Sequence, residues 1–96
     1  PEETCHVLLF VGELDAIALR NAVNSLTEKY SGYCGIFAGD DANGYRFIVG
    51  SSSCNCQELA TRMRQEFQAK GGGSAPMIQG NVGATAEALR KMWETL

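Results

Sequence analysis

The sequence is poor in histidine and has no long apolar run. His6 is its only histidine, so a site built from two histidines cannot form within the chain. The longest apolar run, Val7–Val11, falls well short of the length needed to span a bilayer. Hydroxyl residues such as Ser52 and Ser74 have no recognisable base partner. We therefore predict a chain that is not an enzyme on its own, with no catalytic residues, no metal, no cofactor and no membrane partner.

The start of the chain also lacks the marks of a secretion signal. The sequence begins at Pro1 rather than at a methionine, and no basic segment leads into an apolar one. We expect a cytoplasmic piece of a longer protein, with further domains of the parent upstream. A chain of 96 residues has the size of one domain, so we assign residues 1–96 to a single unit.

Cysteines are present, but their spacing is not that of a metal site. Cys54 and Cys56 are separated by one residue, and Cys5 and Cys34 stand alone, whereas structural zinc sites usually show two pairs of closely spaced ligands. Apolar residues make up 45% of the chain, which is enough for a core without disulfides. We predict reduced thiols that pack as small apolar side chains.

The net charge of −3 is unevenly distributed along the chain. The segment up to Gly44 carries seven acids and two bases, a charge of −5, whereas the remainder carries six bases and four acids, a charge of +2. An acidic protein repels phosphates, so a bound polyanion would face the second segment. Two ordinary solvated surfaces are the alternative.

The first half of the chain predicts a strand, a helix and a hairpin. Val7–Val11 is a continuous apolar run, which indicates a central strand covered on both faces. Apolar residues then recur at helical spacing from Leu14 to Tyr30, and Ser31-Gly32 should end that helix. The runs 33–38 and 45–49 flank an Asn-Gly turn, which predicts a β-hairpin.

The second half predicts two helices separated by a short strand. Asn55 should cap a helix that stops near Lys70, with Gly71 as its C-terminal signal. A short strand at 77–79 and a turn at 79–83 then lead into a last helix. The apolar stripe of that helix is Leu89, Met92, Trp93 and Leu96. The prediction is a single compact α/β domain, a mixed β-sheet with packed helices in the order βαββαβα.

Three successive glycines after Lys70 form the most unusual segment. Gly71–Gly73 cost conformational entropy and offer no side chain to a core. Their N–H groups could form a concave nest for phosphate oxygens, and the turn at 79–83 could add donors from a helix N-terminus. A helix cap followed by a tight bend is the alternative. The predicted nucleic-acid-binding residues are Lys70, Gly71, Gly72, Gly73, Ser74, Gln79, Asn81, Arg62 and Arg64.

The glycine segment resembles a known signature. Gly71-Gly72-Gly73-x-x-x-Met77-x-Gln79-Gly80, followed by a helix, is similar to the glycine-rich motif of the DHH-associated domain. The order of strands and helices before it also follows that family. Such domains occur at the C-terminus of alanyl-tRNA synthetases, of long-form alanyl-tRNA editing proteins and of many DHH phosphoesterases.

The resemblance implies an accessory module that binds tRNA or other RNA and has no chemistry of its own. Its parent would be an alanine-tRNA ligase or an aminoacyl-tRNA editing hydrolase. The phosphoesterase branch typically continues its glycines into a histidine, whereas this chain continues into Ser74-Ala75-Pro76, which favours the alanyl-tRNA branch. Two alternatives stay open, a substrate-binding domain of a DHH phosphoesterase and a module for homodimer formation.

Overall fold

The computed structural model describes residues 6–12, 15–30, 32–52, 55–74 and 77–95. Several features named above lie outside these residues: Cys5, Leu14, Ser31, Cys54, Ala75, Pro76, Leu96 and the side chain of Ser74. The elements are β1 (Val7–Val11), α1 (Ala16–Lys29), β2 (Cys34–Asp40), β3 (Gly44–Gly50), α2 (Cys56–Phe67), β4 (Lys70–Ser74), β5 (Met77–Val82) and α3 (Ala86–Glu94). The predicted α/β domain and its order of elements are confirmed, and β4 is a further strand.

All five strands form one mixed sheet in the order β1-β2-β3-β5-β4. β1 is parallel to β2, and the other neighbouring strands are antiparallel. The prediction that β1 lies at the centre is wrong, because β1 is an edge strand and its Leu9 is 45% exposed. Its apolar run reflects contacts on both faces, since Leu8 and Phe10 pack into one core and Val11 into the other.

The β2–β3 hairpin forms where the sequence predicts it. Its turn covers residues 41–43, and the carboxylate of Asp40 accepts a hydrogen bond from the backbone N–H of Asn43 at 2.6 Å. Gly44 has φ of 87°, which is the left-handed conformation that glycine adopts most easily. Turn chemistry therefore fixes the register in which Ala38 faces Arg46 across the two strands.

The helices pack on both faces of the sheet and create two cores. On one face, α1 places Leu19 and Val23 against Ile36, Ala38 and Ile48. The helical spacing predicted from Leu14 to Tyr30 includes Leu19 and Val23, which are fully buried, and also Ala22 and Leu26, which are partly buried. On the opposite face, α2 and α3 cover the larger core. Its buried members include Phe37, Tyr45, Phe47, Val49, Cys56, Leu59, Met63, Ile78, Leu89, Met92 and Trp93.

Both thiols in the described residues, those of Cys34 and Cys56, are fully buried, as expected for packing side chains. The described members of the predicted α3 stripe, Leu89, Met92 and Trp93, are buried. Within the described part of the chain, no helix has the length and apolar character to cross a membrane.

Helix α2 ends earlier than the sequence predicts. Asn55 caps its start by accepting a hydrogen bond from the N–H of Gln57 at 2.9 Å, as predicted. The helix stops at Phe67, however, and Gln68 adopts the left-handed conformation with φ of 56° that the sequence assigned to Gly71. The chain therefore turns before Lys70. This early turn leaves the three glycines to join the sheet.

Candidate nucleic-acid interface

The triple glycine is an edge strand and not a loop. In the β4–β5 pair, Gly71 faces Gly80 and Gly73 faces Ile78. Both glycines have positive φ, 132° and 152°, and a Cβ atom added to either would collide with the backbone of β5. Two of the three glycines are thus required by backbone conformation and by the close approach of the two strands.

The predicted phosphate nest at these glycines is therefore wrong. In a strand, successive backbone groups point alternately toward and away from the neighbouring strand, so consecutive N–H groups do not converge on one point. The carbonyl oxygen of Gly71 lies 3.4 Å from Nη2 of Arg64, and that of Gly73 lies 3.5 Å from Nε2 of Gln57. Side chains of α2 thus cover part of the outer edge of β4.

The second predicted set of donors, at the N-terminus of the last helix, is also wrong. Residues 79–82 belong to β5 and are not a turn. The N-terminus of α3 is already occupied by a carboxylate, because Asp41 Oδ1 accepts hydrogen bonds from the N–H of Ala86 at 2.9 Å and from the hydroxyl of Tyr45 at 2.6 Å. Thr85 also caps the helix by accepting from the N–H of Ala88.

The carboxyl group of Asp41 and the hydroxyl of Tyr45 shift each other's pKa. The hydrogen bond from Tyr45, followed by that from Ala86, lowers the pKa of Asp41 below its ordinary value. The hydrogen bond to Asp41, assisted by burial, raises the pKa of Tyr45 to about 12. The pair is a neutral phenol that donates to a carboxylate, and it ties the β2–β3 turn to α3.

On the sheet face that carries α1, the part beside the helix is left open. Side chains alternate along β5, and Met77 packs into the α1 core, so Gln79 and Asn81 point to the same face as Met77. Helix α1 contacts β2 and β3, whereas β5 and β4 are covered by α2 from the other face. Gln79 and Asn81 are consequently exposed on the sheet surface.

Neighbouring strands complete this open surface. Across from Asn81 lie Arg46 on β3 and Lys70 on β4, and across from Gln79 lies Gly72. The four long side chains are exposed. We call Arg46, Lys70, Gly72, Gln79 and Asn81 the polar sheet face. A Cβ atom at Gly72 would meet nothing within 4 Å, so the surface above this glycine is open.

Two cations flank an amide on the polar sheet face. Adjacent strands are about 4.8 Å apart, so the backbones that carry Arg46 and Lys70 lie roughly 10 Å apart with Asn81 between them. Neither cation forms an ion pair with any residue that the structure describes. Other bases of the second segment are engaged: Arg62 with Glu66, Lys91 with Glu87, and Arg90 over the ring of Phe10.

The polar sheet face continues into an open concavity that carries charges of both signs. Asp15 and Asp40 line it together with Arg46, Lys70 and Asn81. Each carboxylate already caps local backbone, since Asp15 accepts from the N–H of Ala18 and Asp40 from that of Asn43. The acids lie on the side of α1 and β2, so an anion is attracted toward β5 and β4.

Comparison with known proteins supports an assignment of fold. No family model matches the sequence, and no curated protein matches it. Among solved structures, the chain is similar to the crystal structure of the C-Ala domain from Aquifex aeolicus alanyl-tRNA synthetase, with a TM-score of 0.72 and 23% sequence identity. The similarity covers 99% of this chain and 96% of that chain. This chain has the C-Ala fold.

The C-Ala fold brings only some of the predicted residues together. Lys70, Gly72, Gln79 and Asn81 lie on the polar sheet face, and Ser74 ends the same strand as Lys70. Gly71 and Gly73 face the side of α2 instead. These two glycines serve the strand pairing, and their contact with a nucleic acid stays a prediction.

The two predicted arginines of α2 differ in position. Arg64 lies at the edge of β4 beside Gly71, and it lines a small depression with Lys70, Gly72 and Gln79. Arg62 is two residues earlier, which is about 200° around the helix, and it pairs with Glu66. Arg64 can therefore assist the polar sheet face from its edge, whereas Arg62 does not join it.

Arg46 is the member of the polar sheet face that the sequence interpretation omitted. It is the only charged residue of β3, between the buried Tyr45 and Phe47. Strand alternation alone places such a residue on the face opposite its two aromatic neighbours. What the sequence did not reveal is that α1 leaves this end of β3 uncovered.

Proposed function

We propose that this chain is an RNA-binding accessory module of an alanyl-tRNA synthetase or an alanyl-tRNA editing protein, and that it binds tRNA through the polar sheet face. It acts in the cytoplasm with the upstream domains of its parent and has no catalytic role of its own. The glycine motif and the C-Ala fold support the choice of parent. The observation that carries the binding site is the row of Arg46, Asn81 and Lys70 across three strands.

The row has the chemistry that nucleic-acid contact requires. Cations placed against phosphates supply most of the affinity and fix the position of the nucleic acid, and polar side chains add hydrogen bonds to sugar and base. Both cations here are exposed, and Arg64 adds a third at the strand edge. The remaining surface carries the excess of acids, which orients a polyanion toward this face.

The small number of cations sets the expected strength of binding. Two or three phosphate contacts give a salt dependence with a slope of roughly −2 to −3 in log K against log salt. Such binding is modest at physiological salt. The module is therefore suited to add to the tRNA contacts of its parent, in which linked sites reinforce each other.

Reversal of one cation tests the proposal. Lys70→Glu should weaken tRNA binding by roughly tenfold and reduce the salt slope by about 1, because one phosphate contact is lost. Lys91→Glu is the matched control, because it makes the same charge change on α3, at the opposite face of the sheet. The measurement is fluorescence anisotropy with labelled tRNA between 50 and 200 mM salt, in the range where such slopes are resolved.

If Lys70→Glu and Lys91→Glu weaken tRNA binding equally, the loss is due to net charge, and the polar sheet face is not the binding site. An unchanged affinity in both Lys70→Glu and Arg46→Glu would do the same. Failure of the wild-type chain to bind tRNA at low salt would reject the function itself.

A further inference from the structure

The composition of the polar sheet face indicates which part of an RNA it contacts. All four aromatic side chains of the strands, Phe10, Phe37, Tyr45 and Phe47, point to the core under α2 and α3. The polar sheet face contains only amides, cations and a glycine. Sheets that bind unpaired bases do so by stacking them on exposed aromatic rings. This face offers no such ring among the residues that the structure describes.

The amides of the face have a different use. Gln79 and Asn81 lie two residues apart on β5, which is about 7 Å along the strand. Each side-chain amide both donates and accepts hydrogen bonds. A ribose 2′-hydroxyl also donates and accepts, so it can satisfy such an amide, whereas deoxyribose has no group at that position.

Double-helical RNA presents these groups in a matching arrangement. Its minor groove is wide and shallow and displays rows of 2′-hydroxyls between the phosphates of the two strands, whereas its major groove is too narrow for side chains. The polar sheet face is a sheet surface with amides in the middle and a cation on each side. Gly72 has no side chain above the sheet beside Gln79, so the sugar-phosphate backbone of an RNA can approach closely there.

Resting on the proposed function, we infer that the polar sheet face binds the sugar-phosphate backbone of double-helical RNA across its minor groove. Arg46 and Lys70 contact phosphates, and Gln79 and Asn81 hydrogen-bond to 2′-hydroxyls. The two amides thereby determine the preference for RNA over DNA. Base sequence is not read at this surface.

The test compares duplexes of one sequence made as RNA or as DNA, together with the single RNA strand. The wild-type chain should bind duplex RNA about tenfold more tightly than duplex DNA, because in a DNA complex the two amides would be covered without a hydroxyl partner. Replacing both amides, Gln79→Ala with Asn81→Ala, should lower RNA affinity to the DNA level. DNA affinity and the salt slope should stay unchanged, because both cations remain.

Gln65→Ala is the matched control, since Gln65 is an exposed amide on α2. A second measurement needs no variant: wild-type protein with RNA duplexes that carry deoxyribose in one strand should bind with intermediate affinity. Circular dichroism melting confirms that each variant is folded.

Equal wild-type affinity for duplex RNA and duplex DNA would overturn the inference. So would tighter binding of the single strand, or an RNA preference that survives loss of both amides. Each of these results leaves tRNA binding intact, and only a wild-type chain that binds no RNA at all rejects the proposed function.

Discussion

At the scale of single residues, Asp41 joins the β2–β3 turn to α3. Its carboxylate accepts from the Tyr45 hydroxyl and from the N–H of Ala86. The sequence shows Asp41 only as a turn residue, because its two partners lie 4 and 45 positions away. A local cap such as Asn55 depends on residues nearby, and the sequence therefore predicts it more easily.

Asp41→Asn should make the stability of the fold change less as the pH is lowered into the acid range. The pKa of Asp41 is lowered from its ordinary value of 3.8, so the carboxylate stabilises the fold above about pH 3.8 and loses that effect as pH falls through the folded pKa. Thermal melts of wild type and variant from pH 6 to pH 2 measure this. The wild type should have the higher Tm at pH 6, and the difference should shrink below about pH 3.8. A constant difference would show that the charge of Asp41 does not stabilise the fold.

At the scale of elements, β4 is the feature that the sequence did not predict. Glycine is depleted in strands, so a run of three indicates a bend. The run becomes a strand because α2 ends early at Phe67 and because Gly71 and Gly80 allow the backbones of β4 and β5 to approach closely. Both causes depend on tertiary contacts. The helices and the hairpin were predictable because their periodicity and turn residues are local.

A series of three substitutions tests the role of each glycine in β4. Gly71→Ala and Gly73→Ala should each destabilise the fold by about 1–3 kcal/mol, since positive φ and a collision with β5 oppose a side chain. Gly72→Ala should be neutral or stabilising by up to about 1 kcal/mol, because its Cβ meets nothing within 4 Å. Urea unfolding of the three variants measures the free energies. Equal losses at all three positions would contradict the assignment of β4 as a paired strand.

At the scale of the whole molecule, the arrangement of helices creates the candidate site. Helix α1 covers β2 and β3, and α2 covers β5 and β4 from the other side, so the polar ends of β3, β5 and β4 stay open. The sequence predicted Lys70 beside a glycine nest and Gln79 and Asn81 in a turn before the last helix, whereas the structure places all three on paired strands. Arg46 was missed because only the sheet order, with β3 next to β5, brings it to the same surface.

The most direct test of the account maps the tRNA contact on the molecule. In 1H–15N spectra of the labelled chain, added tRNA should shift the backbone amides of Arg46, Lys70 and Gly72 and the side-chain amides of Gln79 and Asn81. The amide resonances of α3, on the opposite face of the sheet, should not shift. Shifts confined to α2 and α3, with an unchanged polar sheet face, would contradict the central claim.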